Sequence, residues 1–228
     1  MRTAVLALAD SRFPGGGHAH SGGVEEAITS GIVSSVDSLQ EFLRGRLRVA
    51  GSLQAVFAAA ATHAASRGGT TVHWKRLDAE IDARTPSTAQ RESSRAQGGG
   101  TLRAGRSAWP SPALERLASA RPRPHHPLVL GALAAAGGSA PRESAHAAAY
   151  LAVSGPSSGG VRLLGLDPMA VNATVAALEP AIARTAEEAA RWAGADPAAF
   201  PAPGGPALDL LAEEHDRHHH EEGRLFAS

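Results

Sequence analysis

The chain contains no cysteine. Disulfides, thiolate metal centres and cysteine nucleophiles are thereby excluded. Lysine is nearly absent too: Lys75 stands alone, so almost all positive charge sits on arginine, which reads first as codon bias. The 22 cations are balanced by 22 anions. A formal net charge of zero leaves no electrostatic case for a nucleic-acid partner. Aromatic residues make up only 4% of the chain, so its interior must be built from Ala, Leu and Val. No apolar run approaches the ~18 residues that span a bilayer. Asp10 interrupts the short apolar start, so neither a signal peptide nor a membrane anchor is expected and the expected location is cytoplasmic. Period-two alternation is also scarce, which argues against strands.

Glycine and histidine are concentrated near the start. Leu6–Glu26 runs from a short apolar stretch through Phe13-Pro14 and three glycines to His18, His20 and Ser21. No helix continues through that turn. Ser21, followed by Glu25 and Glu26, reads as the N-cap of the next helix. The segment therefore predicts a helix or strand, a sharp glycine loop and a helix, with the histidines held at the loop.

Beyond it the apolar period is helical. Leu39, Phe42, Leu43, Leu47, Ala50, Leu53 and Phe57 share one stripe of a helix over 35–63. Further helices are expected over 70–84, from 88 to about 97 behind a Ser87 cap, around 114–118, over 128–136, and from 141 to 153. The triple glycine 98–100 and the stretch Gly155–Gly160 read as breaks. Asp167-Pro168 opens a long helix to about Gly194 that Pro180 should kink or split. A last helix is expected over 206–220. The prediction is an all-α protein, a single compact domain of about ten helices over residues 1–228. Its ends, 1–20 and 216–228, are expected to be flexible when unbound.

Histidine is the one abundant candidate metal ligand, and imidazole suits zinc, copper and nickel. His215 and His219 are i and i+4 on the last helix and could grip one ion; equally, they could belong to a solvated polar end. His18 and His20 could serve a metal, a partner or simply their own loop. No His-Glu-x-x-His or Gly-x-Ser-x-Gly motif occurs. The residues by themselves indicate a helical protein with possible metal chemistry. A helical metal-dependent hydrolase and a histidine-rich nickel store both remain open.

The ordered set of motifs resembles the UreF family of urease accessory proteins. Leu8–Glu25 is similar to the family's N-terminal signature, and Arg91-Glu92 with Ser94 and Gly98 to its mid-chain motif. His126-Pro127, Tyr150-Leu151 and Val161-Arg162-Leu163 follow in the family's order. Leu208-Asp209, His215 and Arg224-Leu225-Phe226 match its ending. His20 stands where members often carry an aromatic. The resemblance implies a dimeric, non-enzymatic scaffold that binds UreD (also called UreH), recruits the GTPase UreG and assists nickel insertion into apo-urease. No cofactor would be held tightly, and nickel would be handled transiently. Partner contacts would fall to His18, His20, Ser21, Glu25, Arg91 and Arg162, and to the tail residues Arg224, Leu225 and Phe226, with Arg224 holding UreG.

Overall fold

The computed structural model describes residues 3–10, 12–15 and 21–225, with side chains through His218. Among the described residues the chain forms twelve α-helical segments and no strand. They are α1 (Thr3–Ala9), α2 (Val24–Thr29), α3 (Val36–Arg46), α4 (Ser52–Ser66), α5 (Thr71–Arg84), α6 (Thr88–Ala108), α7 (Pro112–Ala120), α8 (His126–Ala136), α9 (Pro141–Leu164), α10 (Pro168–Ala177), α11 (Glu179–Ala190) and α12 (Pro206–Leu225). A π-helical turn, Leu47–Gly51, joins α3 to α4 without a break, which yields the single rod that the apolar stripe predicts. Ser35 opens that rod through a reciprocal capping box with Ser38. The chain does divide near Pro180. Leu178 separates α10 from α11, and the proline occupies the first turn of α11, where no backbone donor is missed.

Helix α4 is the axis. Ala55–Thr62 is buried without interruption, as befits a helix that is apolar on all sides. It packs chiefly against α8, α9 and α11. Small side chains let these backbones approach closely. A Cβ on Gly131 of α8 would clash with the Ala58 carbonyl oxygen and lie 2.7 Å from the Ala61 Cβ. Two buried hydroxyls stitch the same crossing. Thr62 Oγ1 lies 2.6 Å from Ser144 Oγ on α9 and 2.9 Å from the Gly131 carbonyl, while Ser144 Oγ lies 3.2 Å from the Ala58 carbonyl.

Both glycine-rich stretches that read as breaks are helical. Helix α6 continues through Gly98–Gly100, because Gly98 sits where any Cβ would strike the Pro124 carbonyl. Glycine is there for approach, and tertiary packing outweighs its propensity cost of about 1 kcal/mol. Helix α9 likewise continues through Gly155–Gly160 with Pro156 inside it. Pro156 cannot donate to the carbonyl of Ala152, four residues earlier. Arg46 supplies the missing donor: its Nε bonds the Ala152 carbonyl at 2.9 Å, and its Nη1 bonds the Gly22 carbonyl at 2.5 Å. Burial lowers the Arg46 pKa to about 10, which still leaves the guanidinium charged at neutral pH.

Arg84 plays a similar part. It ion-pairs with Glu80 one turn back on α5 and gathers the carbonyls of Pro197, Ala198 and Phe200, at 3.2, 3.1 and 2.9 Å. The segment between α11 and α12 is thereby pinned beside Phe200, whose ring packs edge-on to Phe57 at 5.2 Å.

Two substitutions test this account. Gly131→Ala should overpack the α4–α8 crossing and cost about 1–3 kcal/mol. Arg46→Met keeps the aliphatic stem but strands the Ala152 and Gly22 carbonyls, at a similar cost of about 1–3 kcal/mol. Each should lower the melting midpoint by roughly 3–10 °C in thermal denaturation followed by circular dichroism.

Candidate partner-binding groove

Helix α2, near the start of the sequence, meets the last helix, α12. An open groove of about 960 Å³ lies between the N-terminal segment, α6, α9 and α12. Tyr150 and Leu151 of α9 line it together with Leu130 of α8. Gly22 and Gly23 turn the chain at its edge with φ of +64° and +88°, a region that strains any residue with a Cβ. Gly23, not Ser21, holds the cap position of α2, and no side chain caps that helix. Ser21 instead lines the groove two residues earlier, and its carbonyl accepts the Val24 N–H at 3.3 Å.

The groove mixes apolar and polar surface and carries both signs of charge. Asp10 is held by Arg12, whose hydrogen bonds bring its pKa down to about 2. Arg123 reaches Glu92 at 3.3 Å, and Arg46, Arg162, His126 and His215 add basic groups. Arg162 is exposed and makes no hydrogen bond or ion pair with the described residues. Arg91 behaves differently. Its guanidinium turns back onto the α5–α6 corner, bonding the Thr85 and Pro86 carbonyls at 2.7 and 2.8 Å and Thr88 Oγ1 at 2.9 Å.

Helix α12 is fastened to the start of α6. Glu213 Oε1 accepts the Ser87 hydroxyl at 2.6 Å and the Ala89 N–H at 3.0 Å, which lowers the Glu213 pKa. Asp209, one turn earlier, accepts from Gln90 Nε2 at 3.1 Å. Ser87 still accepts the Gln90 N–H, as its expected capping role requires. On its other side α12 meets α2. His215 Nε2 stands 3.9 Å from the Glu25 carboxylate, and His218 lies between Glu26 and Glu214. Of the two expected metal ligands, His215 is thus at the groove, whereas the His219 side chain lies outside the described residues. So do His18, His20 and Phe226, and the side chains of Arg224 and Leu225 in the last turn of α12. The pair Glu214 and His218, at helical spacing, was open to sequence reasoning. Its third member, 192 residues away, was not.

A second cluster underlies the groove. Asp78 and His125 are fully buried, and Asp82 joins them. The three could surround an ion by proximity alone. Arginine already fills that role: Arg95 Nη2 lies 3.0 Å from Asp78 and 2.7 Å from Asp82, and Arg121 Nε lies 3.1 Å from Asp78. A metal would have to displace two guanidinium groups, so this set does not fit one. Ser94, His125 and Asp82 also stand in line, with Ser94 Oγ 3.0 Å from Nδ1 and Asp82 2.9 Å from Nε2. Ring orientation is the reverse of a serine-hydrolase triad. Ser94 Oγ also receives the His126 N–H at 3.3 Å, and the imidazole is sealed from solvent. The network fixes the turn before α8 against α5 and α6. Burial lowers the His125 pKa; the neutral ring then donates from Nε2 to Asp82 and accepts the Ser94 proton at Nδ1.

The UreF family model matches residues 33–179. The chain is 43% identical over 226 residues to the urease accessory protein UreF of Mycobacterium sp. (strain JLS), covering 99% of this chain and 98% of the relative. It is 42% identical over 224 residues to that of Mycolicibacterium vanbaalenii, with 98% and 97% covered. It is 40% identical over 212 residues to that of Mycobacterium tuberculosis (strain H37Rv), with 93% of each chain covered.

The buried imidazole makes stability pH-dependent. A histidine whose pKa is lower folded than unfolded contributes stability that is complete above the unfolded value, about 6.5, and is lost as the pH falls below it. The urea midpoint should therefore be lower at pH 5.5 than at pH 7.5. His125→Asn should shrink that difference. His73, whose pKa is lowered by burial first and then by Arg76 and His63, contributes to the remainder in the same direction.

Proposed function

The chain belongs to the UreF family of urease accessory proteins, and we propose that it serves urease maturation as a non-enzymatic scaffold. In this reading it bridges UreD/UreH and the GTPase UreG while nickel passes to apo-urease. It works as a cytoplasmic homodimer, holds no tight cofactor and contacts nickel transiently. One observation carries the proposal. Ser21 and Arg162, which the family resemblance marks for partner contact and which lie far apart in sequence, line a single groove, and His215 of the last helix lines it with them.

The groove's character supports binding over catalysis. It is open and of mixed charge, whereas an enzyme site needs an accessible nucleophile or acid–base pair aimed at one point. An exposed arginine such as Arg162 suits bidentate pairing with a partner carboxylate and so fixes docking register. Arg224, at the last turn of α12, is assigned the contact with UreG. The UreD/UreH partner engages the C-terminal end of the chain, and conformational entropy spent there on binding keeps the assembly reversible.

Co-expression with the cognate UreD/UreH and UreG proteins, followed by size exclusion, tests the proposal. Co-elution is expected. Absence of any complex, with or without nickel and GTP, would overturn it. Arg224→Ala should weaken UreG recruitment at least tenfold, or about 1.4 kcal/mol, with the melting midpoint unchanged. A lowered midpoint would make Arg224 a structural residue instead.

A further inference from the structure

We propose that Glu26, Glu214 and His218 form a divalent-metal site that clips α12 to α2. Glu26 is buried, with its side chain only 6% exposed, yet among the described residues no arginine or lysine is paired with it. Its charged-group contact is His218, whose Nδ1 lies 3.2 Å from Oε2. The other ring nitrogen, Nε2, lies 3.1 Å from Glu214 Oε1. Each of the three residues can offer one ligand atom, and those atoms all lie within 4.8 Å of one another.

The chemistry of this set is incomplete without another positive charge. A neutral imidazole has one N–H and can donate to only one of the two carboxylates. Its second nitrogen then turns a lone pair toward a carboxylate oxygen, and a buried carboxylate without compensation is costly. A second proton on the ring would resolve this with the carboxylates where they stand, one at each nitrogen. A cation would resolve it as well: bound by one ring nitrogen, it draws in the carboxylate that now faces the other, a short move because the three ligand atoms already lie within 4.8 Å of one another. Glu214 and His218 are one turn apart on α12, so two ligands are preorganised on one face, and α2 supplies the third from across the interface. One imidazole with two carboxylates matches zinc, nickel or cobalt better than the harder calcium or magnesium. Three protein ligands also leave positions open, so the ion remains exchangeable. Arg217, which also pairs with Glu214, is 58% exposed and can withdraw into solvent. The contrast with Asp78, Asp82 and His125 is instructive: there, two guanidinium groups already neutralise the buried carboxylate.

This inference rests on the chain's own residues and is independent of the bridging role, since a chain that fails to recruit UreG could still bind the ion. The test uses the untagged full-length protein at pH 7.5, titrated calorimetrically with Ni(II), Zn(II) and Co(II) in turn, with melting midpoints measured alongside. At least one ion should bind with one equivalent per chain and raise the midpoint, because it joins two elements that separate on unfolding. Glu26→Gln and His218→Ala should each weaken that binding at least tenfold and abolish the rise. The double variant His219→Ala/His220→Ala should retain both. If Glu26→Gln does not fold, Glu214→Gln, at a half-buried position, carries the same expectation. No one-equivalent binding, unchanged binding in the Glu26 and His218 variants, or loss confined to the His219/His220 variant would overturn the proposal.

Discussion

The architecture depends on how closely α8 and α9 can approach α4. With few aromatic rings, the core cannot be filled by large side chains held at ordinary helix spacing. It is filled by bringing backbones together, and alanine and glycine make that possible. Gly131 against Ala58 and Ala61 sets the α4–α8 separation. Thr62 and Ser144 then use the short distance, since hydroxyls on neighbouring helices reach each other and the opposing carbonyls. Dispersion between many small contacts replaces the area that a few aromatics would bury.

Arginine compensates where this close packing leaves backbone carbonyls or buried carboxylates in need of donors. Arg46 repairs the gap left by Pro156, Arg84 gathers the carbonyls before α12, and Arg95 spans two aspartates. Each task needs several donors in a fixed planar fork, which the single ammonium of lysine does not provide. The near-absence of lysine reads from composition as codon bias, but at these three positions arginine also has a structural use.

The same elements build the groove. Arg46 fixes α9 and the Gly22 turn together, and Glu213 and Asp209 hold α12 to the N-terminus of α6. Helices α2 and α12, from the first and last parts of the sequence, are thereby placed side by side. The proposed scaffold role needs such a composite surface, and α2 and α12 form it only once the central helices have packed.

The sequence by itself determined the helical class, the continuous rod from α3 into α4, the Ser87 cap and the division at Pro180. Each follows from apolar period or from the local chemistry of a cap or proline, and those signals act within a few residues. Tertiary structure decided the rest. Gly98–Gly100 and Gly155–Gly160 read locally as breaks but are helical, because the gain from close approach and the donor from Arg46 outweigh local propensity. Ser21 reads as a cap, yet a left-handed Gly23 takes that position. The grouping of Glu26 with Glu214 and His218 was likewise decided only by the fold, since ligands far apart in sequence are joined by packing and carry no periodic signal of their own.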